Sequence, residues 1–160
     1  MPSRVPLPLA AALIVAAALI FGAYWEATYS GTVNSAVPSK FTASGKTFQI
    51  TDFATTNDQR AKGLMNRVVS NTTIMLFVFP QRGEYSFWML NTNTSLDMIW
   101  VDATGDAGRV VYVIDAAQPC SAASSCQVHT PNSPSNYVLE AKAGFANANG
   151  IVVGTSIQFS

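Results

Sequence analysis

The sequence is poor in charged residues. Asp, Glu, Lys and Arg make up 11% of its 160 residues, less than half of the roughly 25% found in soluble domains. Nine basic residues balance nine acidic ones, and no run of Lys or Arg occurs. A surface that follows a phosphate backbone needs clustered positive charge, so nucleic acid is excluded as an expected partner. Asn, Thr and Ser must supply most of the polar surface, which is typical of an extracytoplasmic protein.

Residues that commonly bind metals or act as nucleophiles are also scarce. The chain has one histidine, His129, and two cysteines, Cys120 and Cys126. No Ser/His/Asp set, phosphate loop or zinc pattern is present, so we expect no cofactor, no metal and no catalytic residue. Outside the cytoplasm the two cysteines predict a disulfide that pins their loop. A redox pair would show C-x-x-C spacing, and metal binding or thiol activation by His129 is the remaining alternative.

The amino-terminal segment contains the long hydrophobic run of the sequence. Leu7 to Trp25 carries no charge, and at about 1.5 Å per residue a helix of this length crosses a bilayer core of roughly 30 Å. Arg4 precedes the run and Glu26 follows it, which predicts a cytoplasmic amino terminus and an exported remainder. A cleaved signal peptide is the alternative. We therefore expect a single-pass protein of the cell membrane, with its carboxyl-terminal domain outside.

The rest of the chain divides into a tether and one domain. We assign residues 1–28 to the anchor or uncleaved signal, 29–39 to a small, polar tether, and 40–160 to the exported domain. Several short apolar runs separated by turn residues predict strands, and Thr55 to Met65 predicts one short helix. The fold class is therefore mainly β, or α+β with one short helix: a small barrel- or sandwich-like antiparallel sheet domain behind a transmembrane helix.

The central stretch of the domain is Phe87 to Asp102. Two apolar runs, Phe87 to Leu90 and Met98 to Val101, flank small polar residues that favour a structured turn. The pattern indicates a recognition site held between two strands, or a strand crossover whose polar groups are internally satisfied. Either Trp88 or Trp100 could be an exposed stacking surface or a core residue.

Four groups of residues together resemble a known family. They are Lys62-Gly63-Leu64-Met65-Asn66-Arg67, Met75 to Phe79, Phe87 to Thr92 with Leu96-Asp97, and Tyr137 to Glu140 with Ala143-Gly144. Their order is similar to that of the domain of unknown function 192 family, also called UPF0127, over about Phe41 to Phe159. The resemblance implies a small, mainly β domain, often secreted or membrane-anchored, with no established activity. Leu90 stands where relatives commonly have a basic residue, so an anion-binding role does not carry over through that position.

The motif positions supply the candidate ligand-binding residues, Arg67, Trp88, Asn91, Thr92, Asp97 and Glu140. Their side chains could converge on a polar ligand such as a sugar. Alternatively, Arg67 pairs with Asp97 or Glu140 while Asn91 and Thr92 satisfy turn backbone. The first functional hypothesis is a non-catalytic binding or envelope-associated module whose partner is a glycan or an envelope protein.

Two further hypotheses use other side chains. Asp97 and Glu140 could be the acid/base pair of a glycosidase-like hydrolase. Met65, Met75, Met89 and Met98 could hold Cu(I), although methionine is also a common core residue. Asn71 and Asn93 begin N-x-S/T patterns and are candidate glycosylation sites; a glycan on Asn93 would obstruct the predicted site.

Overall fold

The computed structural model describes residues 37–160, which form ten strands, two α-helices and one 3-10 helix. The strands are β1 (Lys40–Ala43), β2 (Lys46–Gln49), β3 (Asp52–Ala54), β4 (Ile74–Gly83), β5 (Phe87–Trp88), β6 (Leu96–Thr104), β7 (Ala107–Ala117), β8 (Val128–His129), β9 (Ser135–Lys142) and β10 (Ser156–Phe159). The helices are α1 (Asn57–Lys62) and α2 (Phe145–Ala148), and the 3-10 helix is Ala123–Ser125.

The expected anchor and most of the tether lie outside the described residues. From residue 37 onward, no helix is both long enough and apolar enough to cross a bilayer.

Eight strands form one sheet in the order β2-β1-β10-β7-β6-β9-β4-β3. The sheet is strongly curled into a half-barrel, and β5 pairs with β8 in a separate two-stranded sheet. The mainly β prediction is confirmed. The expected fully antiparallel arrangement is wrong at one edge, because β3 runs parallel to β4. The connection between them contains α1, and a connection of that kind is what a parallel pair requires.

Both faces of the central strands are buried, and alternation along each strand assigns every residue to one face. Leu76, Leu139 and Ile99 lie opposite one another on β4, β9 and β6 and belong to the core beneath α2. Their neighbours Phe77 and Val138 point the other way, into a second core that includes Leu64 and Met89. Continuous apolar runs in β4 and β6 are the consequence of this two-sided burial.

Helix α1 begins where the sequence predicts and ends early. Thr56 accepts a hydrogen bond from the Gln59 amide at 3.3 Å, and the Gln59 side chain accepts one from the Thr56 amide at 3.0 Å. These reciprocal bonds form a capping box. The expected helix extended to Met65, but it stops at Lys62 because Gly63 adopts φ +47°.

Other element boundaries also differ from the sequence-based expectation. Strand β4 continues through Pro80 to Gly83, although proline and glycine favour loops, and it does so across a register shift after Val78. Of the first apolar run in the central stretch, only Phe87 and Trp88 form a strand. One helix was expected and two are present, because the four residues of α2 are too few to show helical periodicity.

Asp97 connects three parts of this fold. It is 1% exposed, and its Oδ1 accepts a hydrogen bond from the Ala116 amide at 2.9 Å. Ala116 lies in a bulge of β7, where it adopts φ +52°. The other oxygen, Oδ2, accepts from the Ala146 amide in the first turn of α2, also at 2.9 Å. The carboxylate therefore satisfies two backbone donors that the sheet and the helix leave unpaired.

Replacing Asp97 with Asn should lower the free energy of unfolding by roughly 2 kcal/mol, because the amide nitrogen would face one of the two N–H donors. Urea denaturation measures the loss. Asp115→Asn removes an exposed carboxylate from the same bulge and should change stability by less than about 0.5 kcal/mol. Equal stability of the two variants would contradict a structural role for Asp97.

Candidate ligand-binding cleft

A cleft of about 260 Å³ lies between the end of α1, strand β4 and the segment leading into β5. Its residues come from all four groups on which the family resemblance rests. They are Arg60, Ala61, Lys62, Gly63, Leu64, Met65, Phe77, Phe79, Tyr85, Ser86, Phe87, Trp88, Thr92 and Glu140. The cleft therefore combines aromatic, cationic, hydroxyl and carboxyl groups in one small volume.

Packed aromatic rings form one wall of the cleft. Phe79 stacks on Tyr85 with ring centroids 3.6 Å apart, and Phe87 packs edge-on against Phe77 at 4.8 Å. The Tyr85 hydroxyl donates to the Gln81 carbonyl at 2.7 Å, which fixes the ring. Rings held by their neighbours keep the cleft open without the cost of ordering side chains on binding.

The two tryptophans of the central stretch have different environments. Trp100 is fully buried, and its indole N–H donates to the Tyr85 carbonyl at 2.9 Å. Trp88 is 41% exposed and lines the cleft. The core alternative therefore holds for Trp100, and Trp88 is the residue available for stacking on a ligand.

Glu140 is the buried carboxyl group of the cleft, which also contains the buried Thr92. On β9 it lies directly between Met75 of β4 and Met98 of β6, and both methionines are buried. The glutamate is 4% exposed; its carboxyl group forms no hydrogen bond with residues 37–160, and its oxygens are not fully enclosed. Burial among these apolar neighbours raises its pKa to about 8. At pH 7 the side chain is therefore mainly an uncharged carboxylic acid that can donate as well as accept a hydrogen bond.

Two cations accompany this neutral acid. Arg60 is half-buried with its guanidinium carbon 5.2 Å from the centre of the Phe79 ring, a cation–π contact. Lys62 is exposed at the last position of α1. Within the described range the two ion pairs are Arg67–Asp52 and Arg82–Asp102, so neither cleft cation has an acidic partner there.

Gly63 keeps the cleft open above Glu140. A Cβ atom at this position would lie 3.2 Å from Cζ of Phe77 and 3.9 Å from Oε2 of Glu140. Its φ of +47° is also unfavourable for any residue with a side chain. Gly63 therefore has two roles: it ends α1, and it allows the backbone to approach Phe77 closely.

The structure brings together three of the six predicted ligand-binding residues. Trp88, Thr92 and Glu140 line the cleft. Arg67 does not: it pairs with Asp52 at 2.6 Å rather than with Asp97 or Glu140. Asn91 is exposed with φ +52°, and it has a turn role, because its amide donates to the Cys120 carbonyl at 2.8 Å.

Asp97 and Glu140 lie on opposite faces of the sheet. Asp97 pairs in register with Ala141, and Glu140 pairs with Met98. Because neighbouring residues of a strand point to opposite faces, the two carboxyl groups cannot approach one substrate from the same side. The geometry of a glycosidase acid/base pair is therefore not formed.

The predicted disulfide is confirmed: Cys120 and Cys126 are bonded, with their Cα atoms 5.3 Å apart. Cys120 also forms a parallel bridge with Leu90, and its amide donates to the Met89 carbonyl at 3.2 Å. The pinned loop thus supports the turn that carries Thr92 into the cleft. Leu90 itself does not line the cleft.

The methionines proposed for copper do not form one exposed cluster. Met75, Met89 and Met98 are buried in the second core, and Met65 lines the cleft. His129 is buried in β8, where desolvation lowers its pKa. From residue 37 to the carboxyl terminus, no three His, Cys, Asp or Glu side chains are grouped as metal ligands.

Both glycosylation candidates, Asn71 and Asn93, are exposed, and neither lines the cleft.

Sequence reasoning missed Arg60, Lys62 and the aromatic wall. Arg60 and Tyr85 lie outside the motif groups, whereas Lys62, Phe77, Phe79 and Phe87 lie within them. The available signal for the two cations was their position just before Gly63, the residue that ends α1.

Comparisons with known proteins identify the family and the fold of the domain. Residues 39–159 match the DUF192 family model, described as "Uncharacterized ACR". A crystal structure from Sinorhizobium meliloti 1021, described as "a putative transcription regulator", is 27% identical with a TM-score of 0.65 and covers 77% of this chain and 94% of its own. A protein of unknown function from Novosphingobium aromaticivorans DSM 12444 is 27% identical with a TM-score of 0.64, and the match covers 79% of this chain and 89% of that protein's chain. No curated protein matches the chain significantly.

Burial of Glu140 predicts a specific dependence of stability on pH. Its folded pKa of about 8 exceeds its unfolded value of 4.5, so between these values the folded state holds a proton that the unfolded state has lost. Stability from this group therefore falls as pH rises through that window, by roughly 1.4 kcal/mol per unit, and is constant outside it. Glu140→Gln should remove this slope in urea denaturation from pH 5 to 9, whereas Glu84→Gln, at an exposed site, should keep it. Parallel curves for wild type and Glu140→Gln would contradict the assignment.

Substituting Gly63 tests the opening of the cleft. Gly63→Ala should lower the free energy of unfolding by about 1–2 kcal/mol for the backbone alone, with an added cost from the Phe77 contact. Gly45→Ala is the matched control, since Gly45 has φ +75° and a Cβ atom added there would have no neighbour within 4 Å. Thermal unfolding should show the larger loss of stability for Gly63→Ala. A larger loss for Gly45→Ala would show that the contact with Phe77 does not contribute.

Proposed function

The chain belongs to the DUF192 family, whose function is unknown, and we propose that its domain is a non-catalytic binding module for a small polar ligand. The ligand occupies the cleft between α1, β4 and β5. One observation carries the proposal: a buried carboxyl group, without a hydrogen-bond partner among the described residues, faces an open cleft. The carboxyl oxygens are not fully enclosed, so they are open to the cleft, and a ligand atom in place of water would supply a hydrogen-bond partner.

The size and lining of the cleft restrict the ligand. At about 260 Å³ the cleft lies just below the usual range of roughly 300–1,000 Å³ for ligand pockets, so it accommodates a molecule of about one sugar ring. Trp88 and Phe87 offer apolar surface, while Glu140, Thr92 and Ser86 offer hydrogen-bonding groups. A ring with one apolar face and several polar substituents, such as a sugar, fits this combination.

The arrangement of side chains favours binding over hydrolysis. One carboxyl group faces the cleft, and the two-carboxylate mechanism requires a second within about 5–9.5 Å on the same side. Asp97 is instead engaged by two backbone amides on the opposite face. The Ser86 and Thr92 hydroxyls have no histidine beside them in the cleft to act as a base.

An exported location is part of the proposal. Support comes from the apolar run before the domain, the low charge of the chain, and the disulfide, since such bonds persist mainly in oxidising compartments. Membrane anchoring through residues 1–28 would place the cleft at the cell envelope, where glycans and their fragments are available. The relative described as a transcription regulator does not change this proposal, because the chain has zero formal net charge and no basic run.

The proposal is tested by thermal unfolding of the full-length chain with glucose, galactose, N-acetylglucosamine, glucuronate and benzoate. A compound at 100 times its Kd should stabilise the fold by about 2.7 kcal/mol and raise Tm by several degrees. Trp88→Ala should weaken binding by roughly three- to tenfold through loss of stacking. Val152→Ala removes an exposed apolar side chain outside the cleft and should bind as wild type does. No shift with any compound, or equal shifts in all three proteins, would overturn the proposal.

A further inference from the structure

We propose that the cleft selects a compact organic carboxylate: a negatively charged group bound by Arg60, Lys62 and Glu140, on a carbon frame that packs against Trp88. This inference rests on the proposed binding function and specifies the chemical class of the ligand. It depends on the charges around the cleft, on the fixed position of Arg60 and on the protonated state of the buried acid.

The first argument is electrostatic. Arg60 and Lys62 are positive and have no acidic partner within residues 37–160, and Glu140 is uncharged at neutral pH. The cleft therefore has a local charge of about +2 in a chain whose formal net charge is zero. Clefts with low-dielectric walls concentrate such a field, and here the aromatic rings provide those walls.

The second argument is the preorganisation of Arg60. Its Nη1 donates to the carbonyl oxygens of Thr55 and Val78, both at 2.7 Å, and its Nη2 donates to Oδ1 of Asn57 at 2.6 Å. A guanidinium has five N–H donors, so two remain for a ligand. Because three bonds and the Phe79 ring already hold the side chain, a carboxylate would bind it with little loss of side-chain entropy.

The third argument is the complementarity of the buried acid. As a neutral group, Glu140 can donate its proton in a hydrogen bond to a carboxylate oxygen, and such charge-assisted bonds are the stronger ones. Once ionised, it would repel the same ligand. The titratable groups sharing the cleft are Arg60 and Lys62 from α1 and Tyr85 before β5, while the neighbours on β4 and β6 are the uncharged Met75 and Met98. Binding should therefore weaken as pH rises past about 8.

The apolar wall separates an organic carboxylate from an inorganic anion. Phosphate would leave the apolar surface of Trp88 and Phe87 without ligand contacts, whereas a ring or short chain bearing the carboxylate covers that surface. The source of the carboxylate, an acidic sugar or an aromatic acid, is distinguished by the probes used in the test.

The test is isothermal titration calorimetry of the full-length chain with two matched pairs, glucuronate against glucose and benzoate against benzyl alcohol, and with inorganic phosphate. At pH 7 at least one carboxylate should bind roughly tenfold more tightly than its neutral counterpart and than phosphate. The pair whose carboxylate binds more tightly identifies the carbon frame of the ligand. Equal binding of the neutral counterpart, or binding of phosphate as tight as that of the carboxylates, overturns this inference and leaves the proposed function standing. Failure of every probe overturns both.

Charge variants locate the binding. Lys62→Gln should weaken carboxylate binding by roughly two- to fivefold without affecting the neutral counterpart. Lys40→Gln removes the same charge from an exposed site on β1 and should bind as wild type does. In wild type the affinity should fall between pH 7 and 9, and in Glu140→Gln it should not. Equal effects of the two lysine variants, or identical pH profiles of wild type and Glu140→Gln, would overturn the assignment to this cleft.

Discussion

The register between β6 and β9 is the constraint on which the fold and the cleft depend. Pairing Met98 with Glu140 and Asp97 with Ala141 sends the two acidic side chains to opposite faces of a sheet that is buried on both sides. A shift of one residue would move the strand's side chains to the opposite face, and the acidic side chains would lose their present neighbours. The apolar sets of β4 and β6 prevent such a shift, so hydrophobic burial fixes the position of the polar groups.

The two buried acids illustrate different solutions to the same physical problem. An ionised carboxylate in the interior is costly unless hydrogen bonds compensate for lost hydration. Asp97 receives two backbone N–H bonds and in return joins a bulge of β7 to α2. Glu140 receives none among the described residues, and its burial favours the protonated form. The first arrangement stabilises the fold, whereas the second leaves a carboxyl group open to the cleft, where it can bind a ligand.

The cleft itself is a product of several local features that meet at the end of α1. The capping box fixes the start of the helix, and Gly63 ends it without filling the space in front of Phe77 and Glu140. The disulfide and its bridge to Leu90 hold the turn that contributes Thr92. Together these features hold the cleft residues in place before a ligand binds, which lowers the entropy cost of binding.

The mainly β class, the start of α1 and the disulfide could be predicted from local patterns, because alternation, capping and cysteine content are local properties, and the family motif positions supplied three residues of the cleft. Long-range packing set the pairing of Arg67 with Asp52, the opposite facing of Asp97 and Glu140, and the place of Arg60, Lys62 and Tyr85 in the cleft. These relations depend on strand register, on the parallel pairing of β3 and on the curl of the sheet. All three are set by contacts between residues far apart in the chain, and no local pattern encodes them.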